Sequence, residues 1–229
     1  MKKIQILNLN PSFDHTGIVK HKTNFNVVRV DEVVALSSGK GINVARVLHI
    51  LSYQNYIVSN IIGGRIGKLI ADGLKEEGMN VWNYLINNES RINYAYVDEF
   101  RGKVFMINEQ GPVIAENEKK DYLNKLTEWL EEGQILVLSG SATRGFTNED
   151  IREIIRISRR KRMFIAVDIS KHFLSVCLKE GIDLLKINNK EFVEEYKDRY
   201  PCGFNEKKDF IEVIESERLK RTIIAISKD

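Results

Sequence analysis

Gly39 and Gly41 flank a lysine, Lys40, and an asparagine follows at Asn43. Glycine has no Cβ, so a ligand can approach the main chain closely at both positions. The apolar spacing Val44, Val47, Leu48 and Leu51 (i, i+3, i+4, i+7) predicts a helix that starts here and buries this stripe. The unpaired N–H groups of its first turn, and the positive end of its dipole, would face the residues from Ser38 to Asn43. Such a place suits an anionic or oxygen-rich ligand, and Lys40 and Asn43 add side-chain donors. Taken alone, the stretch fits equally well a glycine turn that opens a core helix and binds nothing.

Other polar residues follow apolar runs that read as buried parallel strands. Asp14 comes after the run at 3–9, and Gly63 and Gly64 after 56–62. Ser139, Gly140 and Ser141 close the run at 135–139, Asp168 closes 163–168, and Asn188 and Glu191 follow 183–187. Parallel α/β sheets bind ligands beyond the carboxyl ends of their strands. Five such ends carrying glycine, hydroxyl or carboxylate groups therefore define one expected rim, and a site there.

These residues need a scaffold, and the rest of the chain supplies its signals. Helices are expected over 66–77, closed by Gly78, and over 117–132, closed by Gly133. Thr147 and Asp150 resemble a capping box ahead of Ile151, Ile154 and Ile155. Further strands are expected at 79–86 and 222–227, with helical stretches around 190–196 and 206–217. Residues 91–97 and 103–108 read as a hairpin, and the β-rich segment 25–36 could pair with it outside the main sheet. Residues 11–15 read as a loop carrying Asp14. The β–α alternation gives an α/β fold with a mostly parallel sheet.

Composition narrows the function classes. The net charge of +3 over 229 residues argues against a nucleic-acid or membrane-surface partner. The basic cluster Arg156, Arg159, Arg160, Lys161 and Arg162 falls at a helix C-terminus, where cations complement the dipole. Two cysteines and four scattered histidines make neither a disulfide framework nor a zinc set. No apolar run reaches membrane-spanning length, and a cytoplasmic location is expected. A dinucleotide-binding reading fails at the first strand, which is followed by Asn10, Pro11 and Ser12 rather than a glycine fingerprint.

Six motifs, in order, carry a resemblance: Leu9-Asn-Pro-Ser-Phe-Asp14, Gly39-Lys-Gly-Ile-Asn-Val-Ala-Arg46, Ser90-Arg-Ile-Asn93, Asn108-Glu-Gln-Gly-Pro112, Leu138-Ser-Gly-Ser141 and Lys186-Ile-Asn-Asn-Lys-Glu191. Together they resemble the ribokinase-like sugar kinases in their phosphofructokinase-B branch, on the side of its 1-phosphofructokinases and tagatose-6-phosphate kinases. The resemblance implies a three-layer sandwich with a small β lid drawn from about 17–36 and 91–108. It implies transfer of a phosphoryl group from ATP, with Mg2+, to a sugar phosphate. Asp14, Gly39, Lys40 and Asn43 would hold the sugar hydroxyls, and Arg29, Arg91 and Ser139 the phosphate already on the substrate. Lys186, Asn188, Glu191 and Ser227 would line the nucleotide site. Glu191 would act on the metal through water, with Asp168 nearby. In many members the lid also forms a homodimer contact.

Some positions depart from the family pattern. Ser38 stands for a usual glycine, Ile187 for a proline, and Ala142-Thr-Arg-Gly145 for Leu-Pro-Pro-Gly. The family's general base lies in a Gly-Ala-Gly-Asp element expected beyond residue 229, so no residue of this sequence is assigned that role. The expected function is that of a 1-phosphofructokinase crippled by loss of that segment. The alternatives are a tagatose-6-phosphate kinase or a relative that binds sugar phosphate without turnover.

Overall fold

The structure, a computed structural model, describes residues 1–22, 27–169, 171–188 and 223–227. β1 (Ile4–Asn8) leads into β2 (Ser12–Val19), and β3 (Glu32–Ser38) returns beside it. α1 (Lys40–Ile50), β4 (Tyr56–Gly63), α2 (Gly64–Glu76) and β5 (Val81–Ile86) follow. β6 (Arg91–Asp98) and β7 (Lys103–Asn108) make the expected hairpin. The chain then runs through α3 (Glu116–Trp129), β8 (Ile135–Gly140), α4 (Asn148–Arg160), β9 (Phe164–Ile169), α5 (Lys171–Glu180), β10 (Leu184–Asn188) and β11 (Ile223–Ser227). The expected helices around 190–196 and 206–217 lie outside the described residues, as do Glu191 and Cys202.

Seven strands form the main sheet in the order β11-β10-β9-β8-β1-β4-β5, and every pairing in it is parallel. Alternate residues of a strand face opposite sides, and here both sides are covered. Leu7, Leu136, Leu138, Ile165 and Val167 face α3, α4 and α5 through Tyr122, Leu126, Ile151, Ile154 and Leu174. Ile6, Val58 and Ile62 face α1 and α2 through Ile42, Ala45, Ile70 and Leu74. Each fully buried leucine or isoleucine contributes about 1.5–3 kcal/mol. That is why the strands read as continuous apolar runs rather than as alternating ones. Among the described residues no helix is long and apolar enough to cross a membrane.

Two local expectations change. Residues 12–15 are the start of β2, not a loop. β2 pairs antiparallel with β3 and parallel with β6, giving a second sheet ordered β3-β2-β6-β7. Pro11 lacks an N–H and ends β1, but the extended backbone resumes at once because strands on both sides accept it. Among the described residues, β3 therefore meets the hairpin through β2 and not directly. The second change is in α1. Of the expected stripe, Val44 and Leu48 pack against the core beside the buried Gly41, Ile42 and Ala45, whereas Val47 and Leu51 are 55% and 71% exposed. Apolar residues run nearly all round this helix, and the sheet takes the face whose small side chains let the backbones approach.

The turn after β8, where the sequence departs from the family, is held from three sides. The Thr143 hydroxyl donates to the Leu9 carbonyl, and the Arg144 amide donates to Pro112 O at 3.1 Å. The buried Lys119 Nζ donates to Gly145 O at 3.0 Å and pairs with Asp150 and Glu116 at 3.1 and 2.9 Å. Burial alone would lower the Lys119 pKa, but the two carboxylates raise it. The Thr147–Asp150 capping box forms, with Thr147 N–H donating to Asp150 Oδ2 at 2.7 Å.

Candidate active site

An all-parallel sheet puts the carboxyl ends of its strands on one rim. Asn10, Gly63, Ser139 to Ser141, Asp168, Lys186, Asn188 and the backbone of Ser227 all lie at that rim. The second sheet stands over its β1 end, because β2 leaves β1 after only three residues and carries β6 with it.

The register Ser12↔Arg91 and Asp14↔Asn93 puts these four side chains on one face of the second sheet. Asp14 Oδ1 accepts from Ser12 Oγ at 2.7 Å and from Asn93 Nδ2 at 2.9 Å. Arg91 Nη2 donates to Asn10 O at 3.0 Å, and Nη1 to Glu109 O at 3.1 Å. Burial pulls the Arg91 pKa below its usual range, although Asp14 and Glu109 act the other way. Asn10 Nδ2 donates to Gln110 O at 3.1 Å and to Ser141 Oγ at 3.0 Å.

Four buried side-chain atoms lack a partner among the described residues: Asn10 Oδ1, Arg91 Nε, Asn93 Oδ1 and Ser139 Oγ. All four belong to this cluster or to the β8 end that contacts it. Buried polar groups are ordinarily paired, at a cost of about 1–3 kcal/mol each when they are not. Two acceptors, a guanidinium donor and a hydroxyl in one place suit a ligand rich in hydroxyl and phosphate oxygens. Asn10 and Asn93 lie within two of the six motifs, with no role that the sequence assigns them. Their only local signal was a polar residue beside a strand end.

Gly39 precedes α1 with φ 141° and ψ 149°, a backbone state open to glycine. The exposed Asn43 is oriented by Arg46, whose Nη1 donates to Asn43 Oδ1 at 2.9 Å. Arg46 is itself clamped by Glu77, with Nε and Nη2 at 2.7 and 2.8 Å from its two oxygens. That fork raises the Arg46 pKa. Arg46 thus supports the site from one turn away, a spacing visible in sequence.

Lys40 goes elsewhere than expected. Its Nζ lies 2.9 Å from Asp168 Oδ1, and Lys186 Nζ lies 3.4 Å from the other oxygen of the same carboxylate. Lys40 thus meets the β9 and β10 ends through Asp168. The reason is the path of the helix: residue 40 starts α1 over β1 and β8, so its side chain reaches along the rim toward β9. A cleft of about 440 Å3 opens here, lined by these three residues with Asn43, Val44, Val47 and Leu48. Two ammonium groups around one carboxylate, over an apolar floor, could hold the phosphates of a nucleoside triphosphate. Among the described residues there is no cluster of three metal-ligating side chains. Mg2+ keeps most of its waters and needs only one or two carboxylates, so Asp168 is compatible with it. A Cβ placed on Gly140, at φ 93°, would stand 3.4 Å from Lys40 Cβ.

Arg29 is not brought into either group. It is exposed on the connection between β2 and β3, and among the described residues no hydrogen bond ties it to Asp14 or Arg91.

Residues 8–225 match the pfkB family carbohydrate kinases. The fold aligns with phosphofructokinase-2 from Escherichia coli in complex with fructose-6-phosphate, at 25% identity and a TM-score of 0.87, covering 100% of this chain and 74% of that one. The tetrameric inhibited form of the same enzyme aligns at 25% identity and a TM-score of 0.86, with coverage of 100% and 74%. A possible 1-phosphofructokinase from Thermotoga maritima shares the fold at 19% identity and a TM-score of 0.81, with coverage of 98% and 71%.

Proposed function

The chain belongs to the pfkB family of carbohydrate kinases, and from that premise we propose that it acts on a fructose phosphate, fructose 1-phosphate first, with MgATP as the phosphoryl donor. The observation that carries this reading is the set of four unpartnered buried polar atoms beside Asp14. The motifs around Arg91 and Pro112 favour fructose 1-phosphate over tagatose 6-phosphate.

In this reading the Asp14 carboxylate accepts sugar hydroxyl protons, and Asn43 orients the ring from the helix start. Arg91 and Ser139 meet the phosphate already on the substrate. Lys40 and Lys186 would hold triphosphate oxygens, and Asp168, with Glu191, would hold the Mg2+ through its waters. MgATP supplies the transferred group. Positioning and charge stabilisation dominate such transfers, and the two lysines are placed for the second. Lys40 thereby moves from the sugar clamp to the phosphate side.

Calorimetry with fructose 1-phosphate, fructose 6-phosphate, tagatose 6-phosphate and free fructose tests the assignment, alongside ADP release with MgATP. Fructose 1-phosphate is expected to bind about tenfold more tightly than the others, a difference of ~1.4 kcal/mol. Lys40→Met should weaken ATP about tenfold and leave the sugar phosphate within about threefold. No heat with any sugar phosphate would sink the reading.

The second sheet also offers a surface for a second copy of the chain. Val104, Phe105, Met106 and Ile107 of the edge strand β7 are each more than half exposed. Exposed apolar edge strands are normally covered. We expect sedimentation to show a dimer that Phe105→Glu converts to monomer; a monomeric unmodified chain counts against this interface.

A further inference from the structure

Asn8, Asn60 and Asn83 lie side by side across three adjacent strands, in the registers Asn8↔Asn60 and Asn60↔Asn83. Their side chains form a directed chain. Asn8 Nδ2 donates to Asn60 Oδ1 at 2.9 Å, and Asn60 Nδ2 donates to Asn83 Oδ1 at 3.1 Å. Asn8 is 2% exposed and Asn60 is fully buried, on the face that also carries Ile6, Val58 and Ile62. Polar groups in an apolar layer are costly unless each is paired, and apolar residues of similar size would serve the core as well. The ladder therefore needs a reason beyond packing.

Its inner end supplies one. A Cβ placed on Gly39 would stand 2.7 Å from Asn8 Oδ1 and 2.8 Å from Asn8 Nδ2. A Cβ on Gly41 would stand 2.6 Å from Asn8 Cβ. The glycine loop is thus seated directly on the flat amide of Asn8. Gly39 O in turn accepts the Asn43 amide at 2.9 Å, so the seat of Gly39 sets where Asn43 starts its turn of helix. Without Asn60, the Asn8 amide would be free to rotate, and the loop above would lose its fixed height.

We infer that the Asn8–Asn60–Asn83 ladder consists of positioning residues, which set the glycine loop for sugar-phosphate recognition from beneath. This rests on the sugar-phosphate reading above. It predicts a separation of affinity from stability. Asn60→Leu should hold the melting temperature near that of the unmodified chain while weakening fructose 1-phosphate about tenfold. A purely structural role would lower the melting temperature and leave the affinity of the folded protein unchanged.

Asn83 gives a second, milder pair, because it is half-buried on the edge strand β5. Asn83→Asp keeps the acceptor for Asn60 and should bind within about threefold of the unmodified chain, whereas Asn83→Leu removes it and should bind about fivefold more weakly. Should Asn60→Leu not fold, the Asn83 pair decides. Calorimetry on the full chain reads all of these. Unmodified affinity in the leucine variants overturns the ladder alone. Absence of sugar-phosphate binding by the unmodified chain overturns the sugar-phosphate reading, and this inference with it.

Discussion

Arg91→Met is expected to weaken sugar-phosphate binding severely and to destabilise the fold at the same time. The guanidinium joins Asn10 O and Glu109 O, two carbonyls far apart in sequence at the junction of the two sheets. Hydrogen bonds from a charged donor contribute about 1.5–3 kcal/mol each. Losing both, and leaving two carbonyls short of a donor, should cost about 3–6 kcal/mol in denaturant unfolding. Sugar-phosphate affinity should fall about 100-fold, or ~2.7 kcal/mol. Arg91→Lys should rescue neither property, because one ammonium on a flexible stem cannot replace a planar fork. Unchanged affinity in a folded Arg91→Met protein would remove Arg91 from the site and leave it as a structural clamp.

Gly39→Ala should be nearly as damaging through a different cause. At φ 141° the backbone is in a region that costs an L-residue about 1–3 kcal/mol. The new methyl would also meet the Asn8 amide at 2.7 Å. The loop cannot yield downward, since Asn8 is held by Asn60. It must lift, carrying Asn43 with it, and affinity should drop about 100-fold. Gly102→Ala is the control. Gly102 also has a positive φ, 63°, but nothing lies within 4 Å of its Cβ position. It should lower the melting temperature by about 2–4 °C, the shift expected for ~1 kcal/mol at this size, and leave binding intact. Equal effects at the two glycines would show that backbone strain alone, and not the seat on Asn8, matters at Gly39.

These two expectations draw on different kinds of information. That Gly39 opens a helix was legible in the spacing of small and apolar residues. That it rests on Asn8 was not, because Asn8 belongs to a strand formed much earlier in the chain. The same division runs through the site. Asp14 was legible as a polar residue near the end of the first strand, but its place on β2 depends on pairing with β3 and β6. Arg91 was recognised through its motif, but its carbonyl partners were not. Only Val44 and Leu48 of the expected α1 stripe pack inward, because periodicity counts apolar residues without knowing which neighbours the sheet will offer.

Apart from β2, the order of the described strands and helices is legible in local spacing, as are the Thr147–Asp150 cap, the hairpin at 91–108 and the rim on which polar residues gather. Each depends on interactions within a few residues, or on the alternation that makes a parallel sheet. The partners of these residues come from the three-dimensional packing. Lys40 and Asp168 meet across 128 residues, Asn8 and Asn60 across 52, and Arg91 and Asn10 across 81. Such pairs follow from which strands lie side by side and how the second sheet stands over the rim. Sheet order is set by the whole core at once, so no local spacing encodes it.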